Sequence, residues 1–135
     1  MGKQGTEQSF AGDLVLDAGA LIALERGDRR VRALVKKGGF AGQVVVPTTV
    51  LAQVWRGGPR SAYLAMLIDA SDVDSLGESR AKEVGIRLGV RHATDIADAH
   101  VVCCASERHA AVATSDPEDL ARLAETGGSL SLIPV

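Results

Sequence analysis

The sequence predicts an α/β fold, a three-layer sandwich in which a mostly parallel sheet of four or five strands lies between layers of helices. Short apolar runs recur along the chain, and residues with helical spacing follow them. Strands that alternate with helices are typical of a parallel sheet covered on both faces. Of the 135 residues, 46% are hydrophobic and only 3% are aromatic, which favours one core built from Ala, Val, Leu and Ile.

The first predicted strand is an apolar run at residues 14–16 that ends abruptly at Asp17. A short apolar helix is expected over residues 18–26, ended by Gly27, and Asp28 can cap a second helix with a basic face. A Gly-Gly pair ends that second helix. Asp17 itself has two interpretations, as the N-cap of the first helix or as an acid at a ligand crevice.

The second predicted strand covers residues 43–46 and is closed by Pro47. Thr48 or Thr49 is expected to cap a helix through residues 50–56. A Gly-Gly-Pro break then separates this second strand–helix unit from the next helix.

The middle of the chain is predicted to be helical on both sides of a loop. Helices are expected over residues 61–68 and 78–88. Residues 69–77 are typical of a loop, in which Val73 could form a short strand.

The last third repeats the strand–helix pattern. Thr94 is expected to cap a helix over residues 95–107, and a strand at residues 110–114 follows. Pro117 suits the first position of the next helix, which is expected to reach Glu125. A final strand lies at residues 130–135, and right-handed crossovers would make the sheet parallel.

Composition limits the function and the compartment. The few aromatic residues argue against a base-stacking nucleic-acid platform, and the net charge of -2 does not indicate a broad surface for binding nucleic acid. Cys103 and Cys104 are adjacent and fit neither a disulfide framework nor a zinc site, so a reducing cytoplasm is expected. Neither a membrane span nor a signal peptide is expected. Residues 1–12 are interpreted as a loose leader, and residues 13–135 as a single domain.

Aspartates recur at corresponding places in the predicted fold. Asp17 and Asp116 follow strands, and Asp95 and Asp98 share one face at a helix start. Carboxylates crowded into one crevice repel each other unless a cation neutralises them, and hard oxygen ligands suit Mg²⁺ or Mn²⁺. The histidines are interpreted as solvated or helix-packed side chains: His92, His100 and His109.

With these segments in this order, the sequence resembles the PIN-domain family, the ribonuclease fold of VapC-type toxins of toxin-antitoxin modules. The segments that carry the resemblance are residues 14–22, 46–47, 50–54, 56–58, 98–102 and 114–120. Each segment alone is a weak signal, whereas their order along the chain is more specific.

The resemblance implies a metal site built from acids. Asp17, Asp98 and Asp116 match the first, third and fourth acidic positions of the family, and Thr114 matches the hydroxyl beside the fourth. Two further acids are candidate ligands: Asp95, one turn before Asp98, and Asp119.

Gln53 departs from the family pattern, which has a Glu at this point. The amide can accept a hydrogen bond but cannot offset the charge of a divalent ion. We therefore expect weaker metal binding than in a Glu-bearing relative.

The resemblance implies Mg²⁺- or Mn²⁺-dependent hydrolysis of RNA phosphodiester bonds by the toxin of a type II toxin-antitoxin module. It also implies an antitoxin partner and a homodimer. Thr114 or Ser115 would hydrogen-bond the phosphate or a water. The candidates for binding the RNA backbone are Arg26, Arg29, Arg30, Arg56 and Arg60.

Three alternatives remain at the level of sequence. One is a catalytically impaired module of the same fold that binds RNA or protein, because of Gln53. A receiver-like signalling domain is disfavoured because it needs an acid pair near the N-terminus and a late Lys. A haloacid-dehalogenase-like phosphatase is disfavoured because Asp17 lacks a second Asp two residues later.

Overall fold

Five short strands form one sheet within residues 12–37, 42–124 and 130–135, which are the residues that the computed structural model describes. The strands are β1 (Leu14–Leu16), β2 (Val44–Pro47), β3 (Asp72–Asp74), β4 (Ala111–Thr114) and β5 (Ser131–Pro134). Their order is β3-β2-β1-β4-β5, and every neighbouring pair is parallel. The predicted parallel sheet is therefore confirmed.

Helices cover both faces of this sheet. In the described residues they are α1 (Ala18–Glu25), α2 (Arg29–Lys37), α3 (Thr48–Val54), α4 (Ala62–Asp69), α5 (Glu78–Arg91), α6 (Ile96–Arg108) and α7 (Pro117–Leu123). A 3₁₀ turn, Pro59–Ser61, precedes α4. Helix α1 packs against α3 and α4, and α5, α6 and α7 pack against one another. Right-handed crossovers in opposite directions place these groups on opposite faces.

The strand order places the ends of β1 and β4 at a particular point of the sheet. The chain moves from β1 to β2 and β3 on one side, then crosses back to β4 on the other side of β1. In such sheets, ligands bind outside the carboxyl ends of the strands where the order reverses. Leu16 is in register with Ala113, so Asp17 emerges beside the end of β4.

The central strands are buried on both faces, which explains their continuous apolar sequences. Leu14, Val15 and Leu16 of β1 are fully buried, and so are Val45 and Val46 of β2. The edge strand β3 begins and ends with aspartate and has an exposed Val73 in the middle. The short strand expected at Val73 is thus present.

Two predicted helix caps are wrong. Asp95, not Thr94, is the N-cap of α6, because its side chain accepts a hydrogen bond from the backbone N–H of Asp98. Pro47 is the N-cap residue of α3, without a side-chain cap. The hydroxyls of Thr48 and Thr49 bind other parts of the molecule instead.

Some predicted boundaries also shift. Helix α5 continues to Arg91, beyond the expected residue 88, and ends where His92 adopts a left-handed conformation with φ of 53°. Helix α7 ends at Leu123, and the expected end at Glu125 lies outside the described residues, as do residues 1–11 of the predicted leader. No helix in the described ranges is long and apolar enough to cross a membrane.

Candidate active site

Asp17 lies at the end of the central strand and is only 4% exposed. Its Oδ1 accepts a hydrogen bond from the N–H of Ala20 at 2.8 Å, so Asp17 does cap α1. Its Oδ2 accepts a longer bond of 3.3 Å from the N–H of Ser115, which follows β4. The structure confirms the cap and brings Asp17 beside the end of β4, while its role as an acid at a ligand crevice stays a prediction.

The end of β4 brings a hydroxyl and a second acid to Asp17. Thr114 is fully buried, and its Oγ1 accepts a hydrogen bond of 2.8 Å from the N–H of Asp116. Burial raises the pKa of Asp17; the hydrogen bond from the Thr114 hydroxyl opposes this effect, and the charge of Asp116 adds to it. Thr114 and Asp116 thus lie where the sequence predicts them.

Gly19 permits the close approach of these two chain segments. A Cβ atom at this position would lie 1.9 Å from Ser115 Oγ and 2.5 Å from Ser115 Cβ. These distances are far too short for real contacts. The glycine is therefore required for the loop after β4 to pack against the first turn of α1.

Asp98 comes to this crevice from the first turn of α6. Burial raises the pKa of Asp98 to about 6, with further contributions from the negative charges of four other aspartates. In order of effect these are Asp95, Asp17, Asp116 and Asp119. Carboxylates that raise the pKa of another in this way lie close in space. Asp95, Asp98 and Asp119 line one cavity, and Asp17 is bonded to Ser115, next to Asp116. We call these five predicted metal ligands the acidic cluster: Asp17, Asp95, Asp98, Asp116 and Asp119.

A cavity of about 450 Å³ opens beside Asp98. Its walls include Asp95 and Asp119, and the cationic side chains Arg91 and Arg122. Arg122 forms an ion pair with Asp119 at the surface. The cavity therefore offers space and positive charge next to the acids.

The donor chemistry of the acidic cluster suits a divalent cation, but the cluster is not a closed cage. No three His, Cys, Asp or Glu side chains of the described ranges are gathered tightly enough to form a metal site as they stand. Neighbouring carboxylates repel one another and raise the pKa of one another even when they are not in contact.

Comparison with solved structures identifies the fold. A chain of the "Toxin-antitoxin complex from Klebsiella pneumoniae" superposes with a TM-score of 0.66 at 15% sequence identity, covering 80% of this chain and 90% of that one. The fold of this chain is similar to the fold of that chain. A chain of VapBC2 from Rickettsia felis, solved bound to a DNA fragment from their promoter, has a TM-score of 0.59 at 11% identity, covering 91% and 98%.

These identities are low, so the similarity concerns the fold and not the chemistry. No family model matches the sequence, and no curated protein is significantly similar to it. The VapC-like, PIN-like fold expected from the sequence is confirmed by the solved structures.

Gln53 lies in the last turn of α3 with an exposed side chain. Within the described residues, its amide makes no hydrogen bond to the acidic cluster. Its role in the site stays a prediction. The same holds for the arginines proposed to bind RNA, which are all exposed: Arg26, Arg29, Arg30, Arg56 and Arg60.

A second cluster of charged residues was missed at the level of sequence. His100 is completely buried and bonded through both ring nitrogens: Nε2 lies 2.8 Å from Asp74 Oδ1, and Nδ1 lies 2.8 Å from Thr49 Oγ1. Arg80 binds both oxygens of Asp74. We call these four residues the histidine cluster: Thr49, Asp74, Arg80 and His100.

The interpretation of His100 as a solvated or merely helix-packed side chain is incomplete, because it is buried and hydrogen-bonded. Burial alone would raise the pKa of Asp74, but the hydrogen bonds and charges of Arg80 and His100 lower it to about 2. One signal was available in the sequence. A histidine inside the apolar run of α6 must be buried, and a buried imidazole needs partners.

Proposed function

We propose that this chain is a metal-dependent endoribonuclease of the cytoplasm, the toxin of a type II toxin-antitoxin module. The observation that carries the proposal is the acidic cluster at the point where the strand order reverses, in a fold like that of toxin-antitoxin proteins. Neutralising acids that raise the pKa of one another requires a cation, and oxygen donors suit Mg²⁺ or Mn²⁺.

The residues have distinct roles in this proposal. Asp17, Asp98 and Asp116 would hold the cation, with Asp95 and Asp119 as the outer acids. The bound ion would supply positive charge for the phosphate and a lower pKa for a water molecule. Two backbone N–H groups fix Asp17, so its carboxylate is oriented before any ligand arrives.

The chain's own cations and hydroxyls would position the RNA. Arg122, at the mouth of the cavity beside Asp98, can exchange its ion pair with Asp119 for a phosphate. The exposed arginines of α2 and of the segment after α3 can bind neighbouring phosphates, which gives affinity without sequence preference.

Exposed apolar side chains support a protein partner. Large hydrophobic residues at the surface include Met66 at 64%, Ile86 at 68% and Val90 at 62% exposed. Such surfaces are typical of protein–protein contacts. We propose that they serve an antitoxin and a second copy of the chain, which light scattering of the chain alone and with a partner would measure.

Asp17→Asn is the principal test. We expect Mn²⁺-dependent cleavage of RNA to fall about 100-fold or more, because one ligand charge is lost, while asparagine retains the helix cap. Asp28→Asn is the matched control, since Asp28 caps α2 through a similar bond of 3.0 Å from Val31 but lies outside the acidic cluster. An Asp17→Asn variant as active as the parent would contradict the proposal.

The alternative is a binding module of the same fold that does not cleave. Two observations favour it: Gln53 in place of an acid, and the absence of a closed metal cage in the described residues. RNA binding without cleavage in saturating Mn²⁺ would support this alternative.

Gln53→Glu tests the departure from the family pattern. We expect tighter Mn²⁺ binding and faster cleavage, measured by calorimetry and RNA hydrolysis. Ala52→Glu adds the same charge at the neighbouring exposed position and should change neither. Identical Mn²⁺ titrations for the parent and Gln53→Glu would place Gln53 outside the site.

A further inference from the structure

The histidine cluster connects three elements around one buried imidazole. His100 is on α6, Asp74 ends β3, and Thr49 is in the first turn of α3. Both ring nitrogens have partners at 2.8 Å. Since a carboxylate can only accept, Nε2 donates to Asp74, and Nδ1 pairs with the Thr49 hydroxyl, which can both donate and accept. Every polar atom of the ring is therefore used.

The partners of His100 are themselves fixed. Arg80 donates from Nε to Asp74 Oδ1 at 3.0 Å and from Nη2 to Oδ2 at 2.9 Å. The same Nη2 lies 2.6 Å from Glu107 Oε1, near the other end of α6. Asp74 therefore cannot turn away without breaking several bonds.

Thr49 is held from its own side. Thr48, its neighbour, accepts a hydrogen bond of 3.0 Å from the N–H of Leu76, just after β3. Helix α3 has no side-chain N-cap, so both hydroxyls of its first turn are spent on tertiary contacts. The start of α3 is thereby tied to α6 and to the loop after β3.

His100 and Asp98 lie on the same helix, so the bonds that hold His100 also affect the direction of Asp98. Residues two apart on a helix point in different directions, so His100 and Asp98 lie on different faces of α6. Because a helix is rigid, fixing the direction of the His100 side chain also fixes the direction in which Asp98 projects. The histidine cluster faces α3 and β3, whereas Asp98 lines the cavity that it shares with Asp95 and Asp119.

We propose that His100 is a positioning residue: its bonds to Asp74 and Thr49 hold α6 in the rotation that directs Asp98 into the acidic cluster. The same bond orients α3, on which Gln53 lies one turn after Thr49. The expected effect of His100 on RNA cleavage rests on the proposed function. Its effect on the direction of Asp98 does not, because it requires no ligand.

The first test uses stability alone and needs neither metal nor RNA. Thr49→Val removes the hydroxyl with little change of shape, and Asp98→Asn removes the charge held against other acids. Asp98→Asn should raise the free energy of unfolding of the parent if His100 holds Asp98 against the other acids. In the Thr49→Val background α6 can turn, so the same substitution should raise the free energy of unfolding less. Denaturant unfolding of the full chain and its three variants measures this coupling. Strictly additive effects would overturn the proposal.

The second test uses Mn²⁺ affinity and cleavage. We expect Thr49→Val to weaken Mn²⁺ binding and lower kcat by about 10-fold, with KM for RNA nearly unchanged, as for other residues that orient ligands. Thr49→Ser keeps the hydroxyl and should restore both values. Ser71→Ala is the control, because it removes a partly buried hydrogen bond of 2.6 Å from the Ser71 hydroxyl to the Leu67 carbonyl, which has no connection to α6.

The outcomes separate this inference from the proposed function. If Thr49→Val melts at a lower temperature but keeps the Mn²⁺ affinity and kcat of the parent, the role of His100 is purely structural and the inference is wrong. If the parent neither binds Mn²⁺ nor cleaves RNA, the proposed function fails, and the stability cycle still decides whether His100 directs Asp98.

Discussion

The acidic cluster and the histidine cluster both contain aspartates, but the pKa values of these aspartates are shifted in opposite directions. Both lie where parallel strands end, Asp17 after β1 and Asp74 at the end of β3. The pKa of Asp98 is raised to about 6 by burial and by its acidic neighbours. The pKa of Asp74 is lowered to about 2, because the bonds of Arg80 and His100 exceed the effect of burial.

The difference distinguishes a carboxylate that serves the fold from carboxylates held ready for a ligand. A buried charge with complete partners stabilises its surroundings as long as none is removed. Carboxylates whose pKa is raised by burial and by neighbouring acids reduce stability when they are ionised, and such arrangements are typical of functional sites. Removing one carboxylate charge should therefore lower the free energy of unfolding in the histidine cluster and raise it in the acidic cluster.

Asp74→Asn should have the largest effect. It leaves the charge of Arg80 and the ring of His100 without their acceptor, so we expect the free energy of unfolding at pH 7 to fall by about 3 kcal/mol. The pKa of Asp74 is lower in the folded protein than the ordinary 3.8, so its stabilisation is complete above pH 4 and disappears as the pH falls toward 2. Denaturant unfolding at several pH values measures both effects.

Asp72→Asn on the same strand is the control. Asp72 pairs with Arg108 at 2.7 Å, but its side chain is 47% exposed, so we expect a loss below about 1 kcal/mol. Equal losses for the two variants would show that the partners of Asp74 add nothing beyond a surface ion pair.

The fold could be predicted from the sequence because its signals are local. The continuous apolar runs of β1, β2 and β4 reflect burial on both faces, and glycine or proline stands at many of the breaks. Cap positions were less predictable. Asp95 and Thr94 are both good N-caps, and only the tertiary path of the chain selects between them.

The two clusters differed in how far sequence could reveal them. Asp17, Asp98 and Asp116 each stand beside a recognisable element boundary, so the sequence alone could single them out as candidates. Asp74 and His100 are 26 positions apart, and neither Arg80 nor Thr49 has a local pattern that points to them. Their association depends on the register of an edge strand and the rotation of α6, which sequence patterns do not specify.

Gly19→Ala should have the second largest effect, because Asp17 is held by backbone hydrogen bonds and by the close packing of Gly19 against Ser115. The added methyl would overlap Ser115, so we expect a loss of about 2 kcal/mol and displacement of Ser115 from Asp17. Ser115→Gly in the same chain removes the overlapping atoms and should recover most of the stability. Thermal and denaturant unfolding measure the change.

Gly85→Ala is the matched control in α5. Nothing lies within 4 Å of the position of its Cβ, so alanine should stabilise the helix by about 0.5–1 kcal/mol. A Gly19→Ala variant as stable as the parent would mean that the loop after β4 does not need to approach α1 so closely.

Asp98→Asn should have the smallest effect, and its sign is opposite to that of Asp74→Asn. The pKa of Asp98 is higher in the folded protein than the ordinary 3.8, so the folded state holds more protons between pH 4 and pH 6 and loses stability as the pH rises through this range. Since Asp98 is partly open to solvent, we expect the variant to gain about 1 kcal/mol at pH 7 and nothing at pH 3. Asp69→Asn, at an exposed acid elsewhere, should show no such dependence. An equal gain in stability at both pH values would mean that neighbouring acids do not repel the charge of Asp98. The contrast between the two clusters would then disappear.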